Sequence, residues 1–302
     1  MYKHLLVPLD GSSLAEVALP YAAYIAEQGQ ATVTLIHVIE SNPPQTVHGV
    51  AHLTNAAAAQ RYLDEVAARA FPAGIRIERH VHTSEVSEVA RSIVEHAGEF
   101  KPDLIVMCTH GSSGLRDWLF GSIAQQVVSM GDTSVLLIPP TTNTVNPPFA
   151  CHRILVPLDG DAAHEQSILV AVDFAKMCRS EVHLLMVVPT LDSLTGQRAA
   201  ASRMLPSATA ELLNMTEQQA VEYLHGQVTQ APPSDITIST EVSRGDPAKT
   251  IVNTARETHT DLIVLCTHGK SGMDAFWQGS VAPKVSSQSD VPLLLVRVRS
   301  ES

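Results

Sequence analysis

Short apolar runs alternate with amphipathic segments along the chain. The run HLLVPLD (residues 4–10) is followed by a segment with apolar residues at helical spacing behind a serine, namely Leu14, Val17, Tyr21 and Ile25. A second apolar run at residues 31–40 is followed by a second helical period at residues 55–71. This pattern predicts strands that alternate with helices.

The next residues continue the alternation. Residues 75–82 alternate between apolar and polar side chains, as in an edge strand, and residues 87–100 form an amphipathic segment. The buried run DLIVMC (103–108), a short helical segment (121–130) and a last apolar run (134–139) complete the series. Because several runs are apolar on both faces, the sequence predicts an α/β fold with a parallel sheet covered on both sides.

The whole series occurs twice. LVPLDG at residues 6–11 returns 149 positions later, and DLIVMCTHGSSG at 103–114 matches residues 261–272 at ten of twelve positions. A repeat of this length is a whole domain rather than a solenoid unit. We therefore expect domains at residues 1–140 and 151–302, each with five strands and about four helices, joined by a proline-rich linker at 141–150.

Composition excludes several classes of function. The net charge of −11 offers no basic surface for nucleic acid. No leader pattern and no apolar run of about 18 residues is present, so we expect a cytoplasmic protein without a membrane partner. The four cysteines have no metal-site spacing and suggest no disulfide framework.

The repeated motifs place candidate chemistry at one edge of each sheet. Asp10 and Asp159 follow the first strand of each copy, and CTHG follows the fourth. In an open α/β sheet this is where a ligand binds. The glycines and the Gly-Ser pair at a helix start favour an anion such as phosphate. A Walker A loop is excluded because Val264 stands where that motif needs glycine.

These residues also have simpler interpretations. Asp10 and Asp159 can cap the following helices, as Ser122 and Ser280 can cap theirs. His110 and His268 can brace their loops by hydrogen bonds rather than act as bases. The pair His80 and His82 shares one face of a strand, which permits weak metal binding, but a solvated edge is the favoured interpretation. No catalytic residue and no metal ligand is assigned.

Each half resembles a universal stress protein domain of the type that binds ATP. The nucleotide motif of that family is G-x2-G-x9-G-[S/T]. The first copy reads Cys108, Gly111, then Gly121-Ser122, and the second reads Cys266, Gly269, then Gly279-Ser280. The spacing is met twice, with cysteine at the first glycine in both copies.

The resemblance implies a doubly wound sheet in the order 3-2-1-4-5, with ATP, and Mg²⁺ as an accompanying ion, across the ends of strands one, two and four. It assigns Asp10 and Asp159 to the adenosine and the backbones of Val38 and Val187 to the adenine edge. The other nucleotide residues that it implies are Pro8, Met107, Cys108, His110, Gly111, Gly114, Gly121, Ser122, Ile123, Pro157, Leu265, Cys266, His268, Gly269, Gly272, Gly279, Ser280 and Val281.

The leading hypothesis is an adenine-nucleotide-binding stress-response or regulatory protein that is not an enzyme. A slow ATPase or phosphotransferase is an alternative, although the sequence offers no complete set of groups for it. A second alternative is a nucleotide-independent interaction scaffold, and under either hypothesis a protein partner stays unidentified. The resemblance also implies that the last strands of the two domains pair within the chain, while a homodimer remains open.

Overall fold

The computed structural model describes residues 2–41, 46–47, 50–109, 122–140, 149–188, 190, 206–230, 235–267 and 281–297. Within these ranges both copies of the repeat contribute to one ten-stranded sheet. Helices cover both of its faces, as the apolar runs predict.

The first half alternates strands and helices in the predicted order. Its elements are β1 (His4–Pro8), α1 (Leu19–Gly29), β2 (Thr32–Glu40), β3 (Thr46–Val47), β4 (Val50–Ala51), α2 (Ala56–Ala70), β5 (Ile77–Val86), α3 (Val89–Phe100), β6 (Leu104–Cys108), α4 (Ser122–Met130) and β7 (Ser134–Ile138).

The second half repeats the series without the small β3–β4 hairpin in its described part. Its elements are β8 (Arg153–Leu158), α5 (Gln166–Cys178), β9 (Glu181–Val188), α6 (Pro206–Gln230), β10 (Ile238–Arg244), α7 (Pro247–Glu257), β11 (Leu262–Thr267), α8 (Val281–Gln288) and β12 (Leu293–Arg297).

The strand order confirms the predicted fold class. The sheet runs β10-β9-β8-β11-β12-β7-β6-β1-β2-β5, so each half has the order 3-2-1-4-5 of a doubly wound domain. All neighbours within a half pair in parallel. The two halves join through their last strands, because β7 and β12 pair antiparallel with Leu136 opposite Leu294.

The central strands are buried on both faces. Every residue of β6 is buried, and its side chains alternate between two hydrophobic clusters, with Leu104 and Val106 in one and Ile105 and Met107 in the other. The first cluster packs against α1, α2 and α5, and the second against α3, α4 and α7. A strand with two buried faces reads as a continuous apolar run, which is the pattern seen in the sequence.

The start of the first helix differs from its prediction. The helical period begins near Leu14, but Ala15–Ala18 form a 3₁₀ turn and α1 begins only at Leu19. Pro20 lies in the first turn of α1. The N–H groups of a first turn have no partner within the helix, so the missing N–H of proline costs nothing there and favours a helix start. The predicted serine cap of this helix is wrong, because the N-cap residue of α1 is Ala18; Ser12 Oγ instead accepts from the Ala15 N–H, at the start of the 3₁₀ turn, at 3.2 Å.

No helix in the described ranges is both long enough and apolar enough to cross a membrane.

Candidate functional site

The candidate site lies at the carboxyl ends of β1 and β6. β1 pairs in parallel with β2 on one side and with β6 on the other. The strands that follow β1 in the chain are therefore added first to one side of it and then to the other. Asp10 follows β1 and Thr109 follows β6 at this edge. The second half places Asp159 after β8 and Thr267 at the end of β11 in the same way. In an open α/β sheet a ligand binds beyond such strand ends, and we call this space the crevice of each half.

Asp10 is held in a tight turn. Its Oδ1 accepts hydrogen bonds from the Ser12 N–H at 2.9 Å and from Ser12 Oγ at 2.6 Å. Gly11 has a φ of +88° and lies against Leu53, so a side chain there would be strained and crowded. Within the described residues these bonds leave Asp10 Oδ2 without a hydrogen bond. The simple capping interpretation is therefore incomplete, because Asp10 stabilises the turn with one oxygen only.

A buried histidine fixes the end of β1. His37 is 1% exposed, and its Nδ1–H donates to the carbonyl of Leu9 at 2.8 Å. No sequence signal distinguishes His37, because it stands within the apolar run of β2 and contacts Leu9 only across the sheet. The equivalent position in the second half is Met186. This support is therefore specific to the first domain.

Asp159 has different partners from Asp10. Its Oδ1 accepts from the Asp161 N–H at 3.0 Å, and His164 Nδ1–H lies 2.9 Å from both carboxylate oxygens. Asp161, rather than Asp159, caps the 3₁₀ turn Ala162–His164 by accepting from the Ala163 N–H. The two crevices are thus not identical, since a histidine pairs with the carboxylate of the second.

The backbones of Val38 and Val187 face the two crevices. Backbone groups of successive residues in a strand point to alternate sides. The Ile36 carbonyl accepts from the Leu9 N–H, so Ile36 and Val38 both point towards β1. Because β1 has already ended at that level, the N–H and C=O of Val38 face the space beside Asp10. In the second half, the Glu181 N–H donates to the His152 carbonyl, so the backbone of Glu181 points towards β8. Val187 lies an even number of residues further along β9, so its backbone also points towards β8.

The two motif cysteines lie at the ends of β6 and β11. Cys108 is buried, and Cys266 is partly buried beside Ser167 and Asp159. Burial, with a smaller contribution from the Asp159 charge, raises the pKa of the Cys266 thiol to about 11, and the nearby Ser167 partly offsets this. A neutral thiol adds no negative charge to the crevice. Met107 and Leu265, which precede the cysteines, are buried in the core.

The remaining predicted residues divide into two groups. Pro8 and Pro157 lie in β1 and β8, and Ile123 and Val281 lie in the first turns of α4 and α8. Ser122 begins α4, but its side chain is outside the described part. The rest of the predicted loop residues also lie outside the described residues: His110, Gly111, Gly114, Gly121, His268, Gly269, Gly272, Gly279 and Ser280.

Comparison with known proteins agrees with the fold. The model of the universal stress protein family matches residues 1–139 and 151–297. The universal stress protein YxiE of Bacillus subtilis is 31% identical over 150 residues, covering 48% of this chain and 99% of its own. The universal stress protein Rv2623 of Mycobacterium tuberculosis is 25% identical over 310 residues, covering 97% of this chain and 96% of its own.

A solved structure has the same architecture over the full length. The crystal structure of a universal stress protein from Archaeoglobus fulgidus superposes with a TM-score of 0.67 at 18% identity, covering 99% of this chain and 97% of that one. At this identity the similarity concerns the fold alone. Since the family model matches both halves, the chain belongs to the universal stress protein family, as a tandem of two domains.

Proposed function

We propose that this protein binds adenine nucleotide, with ATP and Mg²⁺ as the ligand, at one site in each domain, and that it acts as a stress-response or regulatory protein. The observation that supports the proposal is that Asp10, whose turn uses only Oδ1, and Val38, whose backbone points to the β1 side of β2, lie at the same edge of the sheet. A carboxylate oxygen and a backbone N–H and C=O pair are the groups that a ribose and an adenine edge require.

The roles of the residues follow from their chemistry. Asp10 Oδ2 accepts a hydrogen bond from a ribose hydroxyl, while Oδ1 keeps the turn in place. The Val38 N–H and C=O pair with the edge of the adenine. The phosphates lie towards the start of α4, where the helix dipole and the glycine spacing Gly111-x9-Gly121-Ser122 favour an anion. The second domain repeats these roles with Asp159 and Val187.

Titration of nucleotide-free protein with ATP and Mg²⁺ tests the proposal. We expect a stoichiometry near two nucleotides per chain. Asp10→Asn keeps the oxygen that binds the Ser12 N–H but removes the charge at the ribose, so we expect affinity at the first site to fall about tenfold, equivalent to about 1.4 kcal/mol. Asp159→Asn should weaken the second site alone.

Asp290→Ala is the matched control. Asp290 precedes β12 at the opposite edge of the sheet, and its side chain is 90% exposed. Its removal deletes the same charge without touching either crevice, so binding should be unchanged. Absence of ATP binding at millimolar concentration in the folded wild-type protein would overturn the proposal and favour a nucleotide-independent scaffold. Turnover that Asp159→Asn abolishes would instead favour an ATPase.

A further inference from the structure

Three histidines from two elements meet on the outer part of the first domain. His80 and His82 lie on β5, and His96 lies on α3, which packs over that strand. One ring nitrogen from each histidine lies within 4.8 Å of the other two. We propose that His80, His82 and His96 form a binding site for a divalent transition metal ion of the kind that prefers imidazole, with Zn²⁺ as the test ion.

The third histidine converts a permissive pair into a possible site. Two histidines on one strand bind metal weakly, whereas three imidazoles can hold Zn²⁺ with one position left for water. The period of a strand indicates only the pair His80 and His82. His96 could have been found from its helical spacing with Ile93 and Phe100, which lie on the inner face of α3. A polar side chain on a buried face needs a hydrogen-bonding partner.

The ring of His96 is oriented as in a metal ligand. Its Nδ1–H donates to the carbonyl of Ser92 at 2.8 Å, and the side chain is 6% exposed. This bond fixes the tautomer in which Nε2 carries a lone pair. A backbone carbonyl that holds the far nitrogen is a common outer partner of metal-binding histidines. Nε2 of His96 is thus presented to His80, whose Nε2 lies 2.9 Å away.

The spacing suits an ion after a small adjustment. In a tetrahedral Zn²⁺ site with bonds of about 2.0–2.1 Å, the ligand nitrogens lie about 3.3 Å apart. The separation of 2.9 Å between His80 Nε2 and His96 Nε2 must therefore widen by a few tenths of an ångström. His80 and His82 are only partly buried, so their rings can move, and the Glu99 carboxylate is near enough to interact electrostatically with His80.

The second domain lacks this arrangement and provides an internal control. The strand register makes Glu241 and Ser243 the equivalents of His80 and His82, and Thr254 is the equivalent of His96. The nearby His183 donates to or accepts from Ser239 at 2.8 Å and lies 3.0 Å from Glu241. Its two nitrogens are therefore already occupied by side chains of β10. The inference concerns the first domain alone and does not depend on nucleotide binding.

Metal titration of the full chain tests the inference. The chelator-treated, nucleotide-free protein is titrated with Zn²⁺ against a coloured zinc chelator. We expect one site that His82→Asn weakens at least about tenfold, because it loses one of three protein ligands. His183→Asn, the control in the second domain, should bind as the wild type does. Equal zinc affinity in wild type and His82→Asn, or no binding by the wild type, would overturn the inference.

A second measurement does not depend on substitution. Diethyl pyrocarbonate modifies accessible imidazoles, and peptide mass spectrometry locates the modified residues. Zn²⁺ should protect His80 and His82 in the wild-type protein and leave His183 unchanged. Equal modification of His80 and His82 with and without Zn²⁺ would mean that the cluster is a structural contact between β5 and α3 and not a metal site.

Discussion

The turn after the first strand depends on a glycine in each domain, but the two glycines differ in their surroundings. Gly11 and Gly160 have φ values of +88° and +83°. A Cβ at Gly11 would lie 2.9 Å from Leu53 Cδ1, whereas one at Gly160 would lie 3.4 Å from Met186 Cε, an ordinary contact. Both alanine variants are strained by φ, and only the first also has a steric clash.

We therefore expect Gly11→Ala to lower the free energy of unfolding by about 2–3 kcal/mol and Gly160→Ala by about 1 kcal/mol. Urea denaturation of both variants measures the difference. Equal losses would show that Leu53 moves aside without cost. Because Gly11 lies within the turn between Asp10 and Ser12, its variant should also weaken the first nucleotide site more than the second.

Cys266 offers a prediction on pH. Burial raises its pKa to about 11, so the thiol stays protonated well above neutral pH. At pH 8 only about a thousandth of it is thiolate, compared with about a quarter of a free cysteine. Iodoacetamide should therefore modify the Cys266 peptide slowly at pH 8 and faster as the pH approaches 11, as followed by mass spectrometry. Modification at the rate of a free thiol at pH 8 would contradict the prediction.

The sequence predicts the positions of the site carboxylates, but it does not predict the histidine contacts in the two domains. Asp10 and Asp159 follow a recognisable apolar run, so the sequence places them at a strand end. The bond from His37 to Leu9 and the contact between His80 and His96 depend on strand register and helix packing, which no local pattern contains. Comparison of the two copies does not indicate the pairing of His164 with Asp159 either, because the residue equivalent to His164 in the first domain is Ala15.

At the scale of elements, the order of strands and helices was predicted because buried parallel strands are continuous apolar runs. Their ends were predicted less well. The apolar period near Leu14 continues through the 3₁₀ turn into α1, so periodicity alone cannot distinguish the two kinds of helix. The β3–β4 hairpin was missed because its two strands are only two residues long.

A repeated aspartate joins neighbouring strands in both domains. Asp103 Oδ2 accepts from the backbone N–H groups of Lys3 and His4 at 2.7 and 2.9 Å. Asp261 Oδ2 accepts from those of His152 and Arg153 at 2.7 and 3.0 Å. Each aspartate precedes its own strand and holds the start of the neighbouring first strand, so the Asp of DLIV has the same role in both copies.

We expect Asp261→Ala to lower the free energy of unfolding by about 1–3 kcal/mol, because two backbone N–H groups lose a charged acceptor. Asp261→Asn, which keeps one acceptor oxygen, should lose less. Thermal and urea denaturation of both variants provide the measurement, with the exposed Asp290→Ala as the control for charge. A loss in Asp261→Ala no larger than that of the control would contradict this role.

At the scale of the whole molecule, the two domains are joined by more than the linker. Arg297 of β12 donates to the carbonyls of Val128 and Gly131 at the end of α4, where a cation also favours the helix dipole. Tyr2 of the first half packs edge-on against Phe174 of α5, with ring centroids 6.2 Å apart. These contacts cross from the second half to the first and predict cooperative unfolding of the pair.

The pairing of β7 with β12 has an internal twofold symmetry. Leu136 is opposite Leu294, its own equivalent in the second copy, and Val135 and Leu137 are opposite the equivalents of each other, Leu295 and Leu293. Two copies of the first domain can therefore pair through β7 in the same register. The relative YxiE is covered over 99% of its length by 48% of this chain, so a protein of one domain exists in the family.

We expect residues 1–140 produced alone to form a dimer, because the exposed edge of β7 has unpaired N–H and C=O groups and an apolar surface. The Leu136→Arg variant of this fragment should be monomeric, since like charges would lie opposite each other at the twofold axis. Light scattering measures both masses, and circular dichroism checks that each fragment is folded. A folded, monomeric wild-type fragment would show that β7 needs the second domain, and not merely an equivalent strand, to complete the sheet.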